Sequence, residues 1–293
     1  MLSIVFLNYN RLSETRHTLD QLQKVCANRA DIEIIAVDNG STDGTLEFLN
    51  TQTNWIKVIS TGANLGIAGY NIGFEQSSGK YILVLDDDSY PADQKTLDNL
   101  ISYLDQNPQM GVVACQIENP EGEIVHTWHL PLEDQPQNSL AFIGCGFAIR
   151  RDLFKEVGWY PEDFFLYQNE IDVAIKVRRA GFQIFYAPNC RVVHRGKPSD
   201  RPNWRRIYYP TRNTIWLIRR YFPLSSSFYL IFSRLCIGLI RALQCRELGW
   251  YFKAVREAFQ TPIPVQVLSK PLRRELNPFW RQNSLWHQLT GHL

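Results

Sequence analysis

Tyr81-Ile82-Leu83-Val84-Leu85-Asp86-Asp87-Asp88-Ser89-Tyr90-Pro91 is the most telling stretch of the chain, because an uninterrupted apolar run ends directly on three carboxylates. A short run apolar on both faces suits a strand covered on both sides, as in a parallel sheet. Three adjacent carboxylates repel one another unless a cation or protonation relieves them. In an extended segment residues i and i+2 share a side, so Asp86 and Asp88 are expected to address one ion while Asp87 turns away. A hard divalent cation, Mn²⁺ or Mg²⁺, is the natural occupant, since it takes oxygen ligands and keeps waters and substrate phosphates in its shell.

On the N-terminal side of this run, residues 3–7, 33–37 and 56–60 repeat the apolar pattern of 81–85. Residues 14–25, 44–51, 68–77 and 96–106, between and after them, read as helices. Ser41-Thr42-Asp43 offers oxygens to cap the second helix, and Pro108 closes the fourth. Strand–helix alternation with short connections predicts an α/β fold: an open, doubly wound, mostly parallel sheet. Ligands of such sheets bind beyond the carboxyl ends of the strands. The polar segments lie there: Asn8-Tyr9-Asn10, Asp38-Asn39-Gly40-Ser41, Asn64-Leu65-Gly66 and the acidic triplet each follow a strand. Asp38 and Asn64 are placed to hydrogen-bond a base and a ribose. Gly66, Gly69 and Gly73 allow close backbone approach and open a helix.

The second half predicts antiparallel strands over 123–130 and 141–150, helices over 152–157 and 169–180, and strands over 182–186 and 191–194. Glu170 starts a helix whose Ala174 and Val177 share its face, which makes it the candidate general base for an acceptor hydroxyl. Asp172 is a second catalytic candidate, although it can also pair with Lys176 one turn on. His194 closes a strand and is a candidate metal ligand beside Asp86 and Asp88. Six cysteines without C-x-x-C spacing argue against a disulfide framework or a structural zinc site, and favour a cytoplasmic protein. The apolar start at Met1 is too short and lacks a basic flank, so it reads as a strand rather than a signal peptide.

Charge divides the chain. Residues 1–190 carry 13 Lys/Arg against 25 Asp/Glu, a net of −12, and residues 191–293 carry 18 against 4, a net of +14. Gly196-Lys197-Pro198-Ser199-Asp200-Arg201-Pro202 combines chain breakers with this switch and marks the boundary. Beyond it the chain is expected to be basic, helical and amphipathic. Residues 228–243 are apolar, but Arg234 and Arg241 interrupt a stretch already short for spanning. A helix lying on an anionic membrane surface through 204–260 is therefore expected, with a helical cap packed on the enzyme as the alternative and the two compatible. No nucleic-acid module accompanies the arginines.

Taken in order, these segments resemble the family 2 glycosyltransferases of the GT-A fold, notably rhamnosyltransferase-like bacterial members. The matching pieces include Val37-Asp38-Asn39-Gly40-Ser41, Asn64-Leu65-Gly66-Ile67-Ala68-Gly69-Tyr70-Asn71, the D-x-D segment Asp86-Asp87-Asp88 and Gly144-Cys145-Gly146-Phe147. The resemblance implies a GT-A catalytic domain over 1–200, with a nucleotide-sugar half (1–115) and an acceptor half (116–200), and a helical region over 201–293. It implies that Asn8, Tyr9, Asn10, Asp38, Asn64, Gly66, Asn71, Asp86 and Asp87 serve the nucleotide, and that Asp86, Asp88 and His194 serve the metal. Glu170 becomes the base of an inverting displacement, although relatives commonly carry Glu-Asp where this chain has Asn169-Glu170. The donor is expected to be a UDP-, dTDP- or GDP-sugar. The acceptor is a saccharide or lipid-linked saccharide at the inner membrane face. Alternatives are a nucleotidyltransferase acting on a sugar phosphate and a non-catalytic, membrane-associated sugar-nucleotide-binding protein. A dinucleotide oxidoreductase is disfavoured, since no G-x-G-x-x-G follows the first strand.

Overall fold

The computed structural model describes residues 1–127, 129–196 and 202–282. The chain forms two compact units, Met1–Phe165 with Asn169–Gly196, and Leu166–Gln168 with Lys197–Leu293. Of the boundary segment expected from sequence, residues 197–201 lie outside the described residues.

The first unit is built on a nine-stranded sheet. Its parallel part is made by β1 (Leu2–Asn8), β2 (Ile32–Asp38), β3 (Lys57–Ser60) and β4 (Tyr81–Asp86), in the order β3-β2-β1-β4. Between them lie α1 (Leu12–Val25), α2 (Thr45–Asn50) and α3 (Gly69–Glu75), the last led in by a 3₁₀ turn over Gly66–Ala68. Side chains alternate across the sheet as the pleat requires. Ile4 and Phe6 of β1 join Leu19 and Leu22 of α1 in one core. Val5 joins Tyr70 and Phe74 of α3 in the other. Each such fully buried side chain contributes about 1.5–3 kcal/mol. Asp43 ties two helix starts together: Oδ2 accepts from Leu12 N and Oδ1 from Thr45 N. It is Gly44, at φ +89, that stands at the cap position of α2.

The sheet continues beyond β4 with mixed pairing. Its elements are β5 (Ser89–Pro91), α4 (Gln94–Gln106), β6 (Met110–Glu118), β7 (Gln137–Ser139), β8 (Phe147–Arg150), α5 (Arg151–Glu156), α6 (Asn169–Arg179) and β9 (Gln183–His194). β8 runs antiparallel to both β4 and β6, whereas β6 and β9 are parallel. The parallel character expected from the sequence therefore belongs to the first half. Three local expectations are corrected. Residues 123–130 form no strand among the described residues, only a bridge from Ile124 to Glu118. Of 141–150, only Phe147–Arg150 is strand, and of 182–186 and 191–194 all but Phe182 belong to the single strand β9. β6 is absent from the strands read from sequence, although all nine of its residues are buried.

The second unit contains α7 (Asn203–Tyr221), α8 (Leu224–Cys245), α9 (Leu248–Gln260) and α10 (Lys270–Gln282). Arg212 and Asn213 are buried within this unit. Arg212 pairs with Glu257 at 2.8 Å, and Asn213 donates to the carbonyls of Leu166 and Tyr167. By length and composition α8 could cross a membrane, with a mean hydropathy of 1.4 over its best window.

Candidate active site

The strand ends bring the polar segments to one rim of the sheet. Asp38, the last residue of β2, is fully buried. Its Oδ2 accepts from Gly40 N and Ser41 N at 3.1 Å, while Oδ1 has no hydrogen-bond partner among the described residues. A buried carboxylate oxygen without a donor is costly, and a ligand N–H would relieve it. Asn39 organises the next loop: Nδ2 donates to Asn64 Oδ1 and Gly66 O, and Oδ1 accepts from Leu65 N. Asn64 is exposed on this loop, and its Oδ1 also accepts from Gly66 N. Tyr9 is 37% exposed, and Asn10, left-handed at φ +53, uses Oδ1 to accept from Thr42 N.

Two residues expected to serve the nucleotide serve the fold instead. Asn8 is fully buried, donating to Val37 O and accepting from Thr15 Oγ1. Asn71 clamps the backbone of Tyr160 with both ends of its amide, donating to the carbonyl at 3.0 Å and accepting from the N–H at 3.1 Å.

The acidic triplet is not extended throughout. Asp86 ends β4, and Asp87 and Asp88 form a turn that Ser89 Oγ closes by accepting from Asp86 N. Alternation along a strand therefore does not set their directions. Tyr70 Oη donates to Asp86 Oδ1 at 3.0 Å and to Leu85 O. Arg11 Nη1 reaches both other carboxylates, at 3.2 Å from Asp87 Oδ1 and 2.6 Å from Asp88 Oδ2. His194 Nε2 lies 3.2 Å from Asp88 Oδ1, placed there because His194 of β9 pairs with Ser89 of β5. Burial alone would raise the pKa of Asp88, but His194 and then Arg11 outweigh it and hold it at about 2. Gly196 leaves room beside this group: a Cβ there would lie 2.7 Å from Asp88 Oδ2 and 2.9 Å from His194 Nε2. Donor atoms of Asp86, Cys145 and His194 also lie within 4.8 Å of one another.

Glu170, in the first turn of α6, is mostly buried, and His129 Nε2 lies 3.4 Å from its Oε1. Tyr160 feels the charges of both Glu170 and Asp86. Its phenol is pushed well above the ordinary value by burial, then by the charges of Glu170 and Asp86, and its ring meets that of Tyr70 edge-on at 5.8 Å. The segment before α6 is strained, with Phe165, Tyr167 and Gln168 all at positive φ. Phe165 O accepts from Ile67 N, and a Cβ on Gly66 would lie only 2.3 Å from that oxygen. Gly66 thus serves this approach. Asp172, the second catalytic candidate, is fully buried and paired with Lys176 at 2.7 Å, which makes it part of the helix's internal support.

Arg11, Tyr70, Cys145 and His129 are the site residues that sequence reasoning missed. Arg11 follows a strand-end segment directly, and that position was its only signal. The others are brought in by packing between distant segments.

The model of the family described as "Glycosyl transferase family 2" matches residues 3–172. The O-antigen biosynthesis protein RfbC of Myxococcus xanthus is 24% identical over 45% of this chain, which spans only 12% of that protein's length. The N-acetylglucosaminyl-diphospho-decaprenol L-rhamnosyltransferase of Mycobacterium tuberculosis is 22% identical, covering 57% of this chain and 68% of its own. Among solved structures, GalNAc-T7 with UDP, GalNAc and Mn²⁺ aligns over 100% of this chain and 57% of its own, with a TM-score of 0.67 at 16% identity. That likeness carries the GT-A fold. A family match over more than half of the length, on a sheet whose polar strand ends gather as described, establishes that the chain belongs to glycosyl transferase family 2.

Proposed function

We propose that the chain is an inverting glycosyltransferase that moves a sugar from a nucleotide-diphosphate donor to a saccharide or lipid-linked saccharide, assisted by Mn²⁺ or Mg²⁺. The observation that carries this reading is the gathering of Asp86, Asp88 and His194 at the strand ends, with His194 Nε2 3.2 Å from Asp88 Oδ1 and a His194 ring nitrogen within 4.8 Å of Asp86, in a chain whose Glu170 is a mostly buried carboxylate at the start of α6. The donor set fits a divalent ion: two carboxylates and an imidazole, with no side chain at Gly196 to fill the space. When bound, the ion stabilises negative charge on the departing diphosphate. Asp38 Oδ1 receives an N–H of the base, and Asn64 and the exposed Tyr9 and Asn10 border the nucleotide. Arg11 holds Asp87 and Asp88 in place as separate acceptors. Glu170, with His129 beside it, takes the proton of the acceptor hydroxyl as that oxygen attacks the sugar.

Glu170→Gln tests this directly. Nucleotide-sugar binding by calorimetry should stay within about threefold, while transfer falls by about 10²–10⁴-fold. Transfer at the wild-type rate would remove Glu170 from the role, and pyrophosphate as the released product would move the chain to nucleotidyl transfer.

The composition of the second unit supports a place at a membrane surface. Phe228 (86% exposed) and Phe232 (58%) on α8 and Phe252 (60%) on α9 face solvent. Arg241, Arg246, Lys253 and Arg256, on or at the end of the same two helices, are exposed as well. Arg234 does not interrupt this surface, since its guanidinium packs over the Trp280 ring. Apolar side chains bordered by cations suit an anionic bilayer. Co-sedimentation with anionic but not zwitterionic vesicles, lost in F228D/F232D, is the expected result.

A further inference from the structure

Cys145 plays no part in the transfer chemistry proposed above, yet it lies against the metal side of the site. It sits two residues before β8 and is 4% exposed. Two contacts fix its backbone. Its carbonyl accepts from Ser89 Oγ at 3.2 Å, the same hydroxyl that closes the acidic turn, and the neighbouring Gly146 O accepts from Cys115 N. The thiol is thereby carried to the end of β4. Its Sγ, a carboxylate oxygen of Asp86 and a ring nitrogen of His194 all lie within 4.8 Å of one another.

That separation approaches the size of a coordination sphere. With metal–oxygen and metal–nitrogen bonds of roughly 2.0–2.2 Å and a metal–thiolate bond of roughly 2.3 Å, three ligands spread around one ion lie about 3–4 Å from one another. Atoms within 4.8 Å of one another have a common centre no more than about 2.8 Å away, so shifts of about half an ångström each would bring the three onto one ion. The three residues come from segments far apart in sequence, the end of β4, the approach to β8 and the end of β9, so no local turn accounts for their meeting. Asp88 stands beside this group, its Oδ1 3.2 Å from Nε2 of the same imidazole.

Resting on the assignment of Asp86, Asp88 and His194 to the metal side, we infer that Cys145 is a direct ligand of the ion. The thiol releases its proton to solvent as the metal–sulfur bond forms, and a soft donor enters a shell otherwise made of oxygen and imidazole nitrogen. The consequence is selectivity: a thiolate disfavours Mg²⁺ relative to Mn²⁺ and strongly favours Zn²⁺ and Cd²⁺.

The test is a titration of the full chain with CdCl₂, followed by the ultraviolet thiolate-to-cadmium charge-transfer band, with Mn²⁺ and Mg²⁺ affinities measured by calorimetry in the presence of UDP. Wild type should develop the band at one equivalent, as should C115A. Both C145S and C145A should lack it, and their preference for Mn²⁺ over Mg²⁺ should fall by roughly tenfold. Circular dichroism confirms that each variant is folded, and two replacements guard against one that is not. An unchanged band and an unchanged Mn²⁺/Mg²⁺ ratio in both variants would overturn the inference. If Mn²⁺ binding then still disappeared in H194A, the broader reading of the metal side would stand. Absence of divalent-ion binding by wild type would overturn both.

Discussion

Arg11→Met is the perturbation that probes the acidic turn most directly. The guanidinium contacts both Asp87 and Asp88, and methionine keeps much of its apolar bulk. Asp88 is fully buried, and its pKa is held at about 2 against an ordinary 3.8. That depression is worth about 2 kcal/mol of native-state stability at neutral pH. His194 is the larger stabilising partner and Arg11 the second, and the arginine side chain is about one-third exposed, so solvent screens part of its share. The expected loss in R11M is about 1–2 kcal/mol at pH 7. The sign in pH follows from a depressed carboxylate. The contribution is fully present above the ordinary value of 3.8 and disappears as pH falls towards 2, so the gap between variant and wild type should close across that window. Urea unfolding at pH 7, 4 and 3, with and without Mn²⁺, measures it. A divalent ion supplies positive charge to the same carboxylates, so Mn²⁺ should stabilise R11M more than wild type. Equal Mn²⁺ increments in the two proteins, or a gap that does not change with pH, would refute the role given to Arg11.

Gly66→Ala must place a side chain at φ +61 and 2.3 Å from Phe165 O. The left-handed conformation costs about 1–2 kcal/mol and the overlap about 1–3 more, so urea unfolding should show a loss of about 2–5 kcal/mol. Asp38→Asn leaves an oxygen for the turn at Gly40 and Ser41 but presents an amide where Oδ1 is unpartnered. UDP binding by calorimetry should weaken by about tenfold to a hundredfold, with stability changed by less than about 1 kcal/mol. Asp172→Asn breaks a buried pair with Lys176 and should cost about 2–3 kcal/mol. The folded variant should nevertheless keep its turnover number, in contrast to Glu170→Gln.

The parallel half of the sheet was legible because its signal is local. Each strand is an apolar run buried on both faces, and each ligand-side segment follows its strand directly. β6 escaped because its buried polar residues, Gln116 and Glu118, break the apolar run near its end, and Glu118 finds its charge partner in the distant Arg191. The irregular stretch at 123–130 has the composition of a strand, yet among the described residues it forms only the bridge at Ile124. Tertiary pairing decides such segments, not propensity. At the site, residue types at strand ends pointed to Asp38, Asp86 and Asp88. They could not distinguish a ligand-facing amide from a structural one. Asn8 and Asn71 carry the same chemistry as Asn64, and only the backbone groups opposite them, Val37 O and Tyr160, show that they are already engaged. His129 and Cys145 left no trace in spacing, because neither lies on a helix or strand that positions it.

The hydrogen bond from Ile67 N to Phe165 O joins the loop proposed to border the nucleotide to the strained segment leading into Glu170. Displacing the second loop breaks this bond, so an occupant that fixes the first is expected to change the cost of displacing the second. Kinetically, this favours a compulsory order in which the nucleotide sugar enters before its acceptor and the nucleotide leaves last. Product inhibition by the nucleotide would then be competitive towards the donor and non-competitive towards the acceptor.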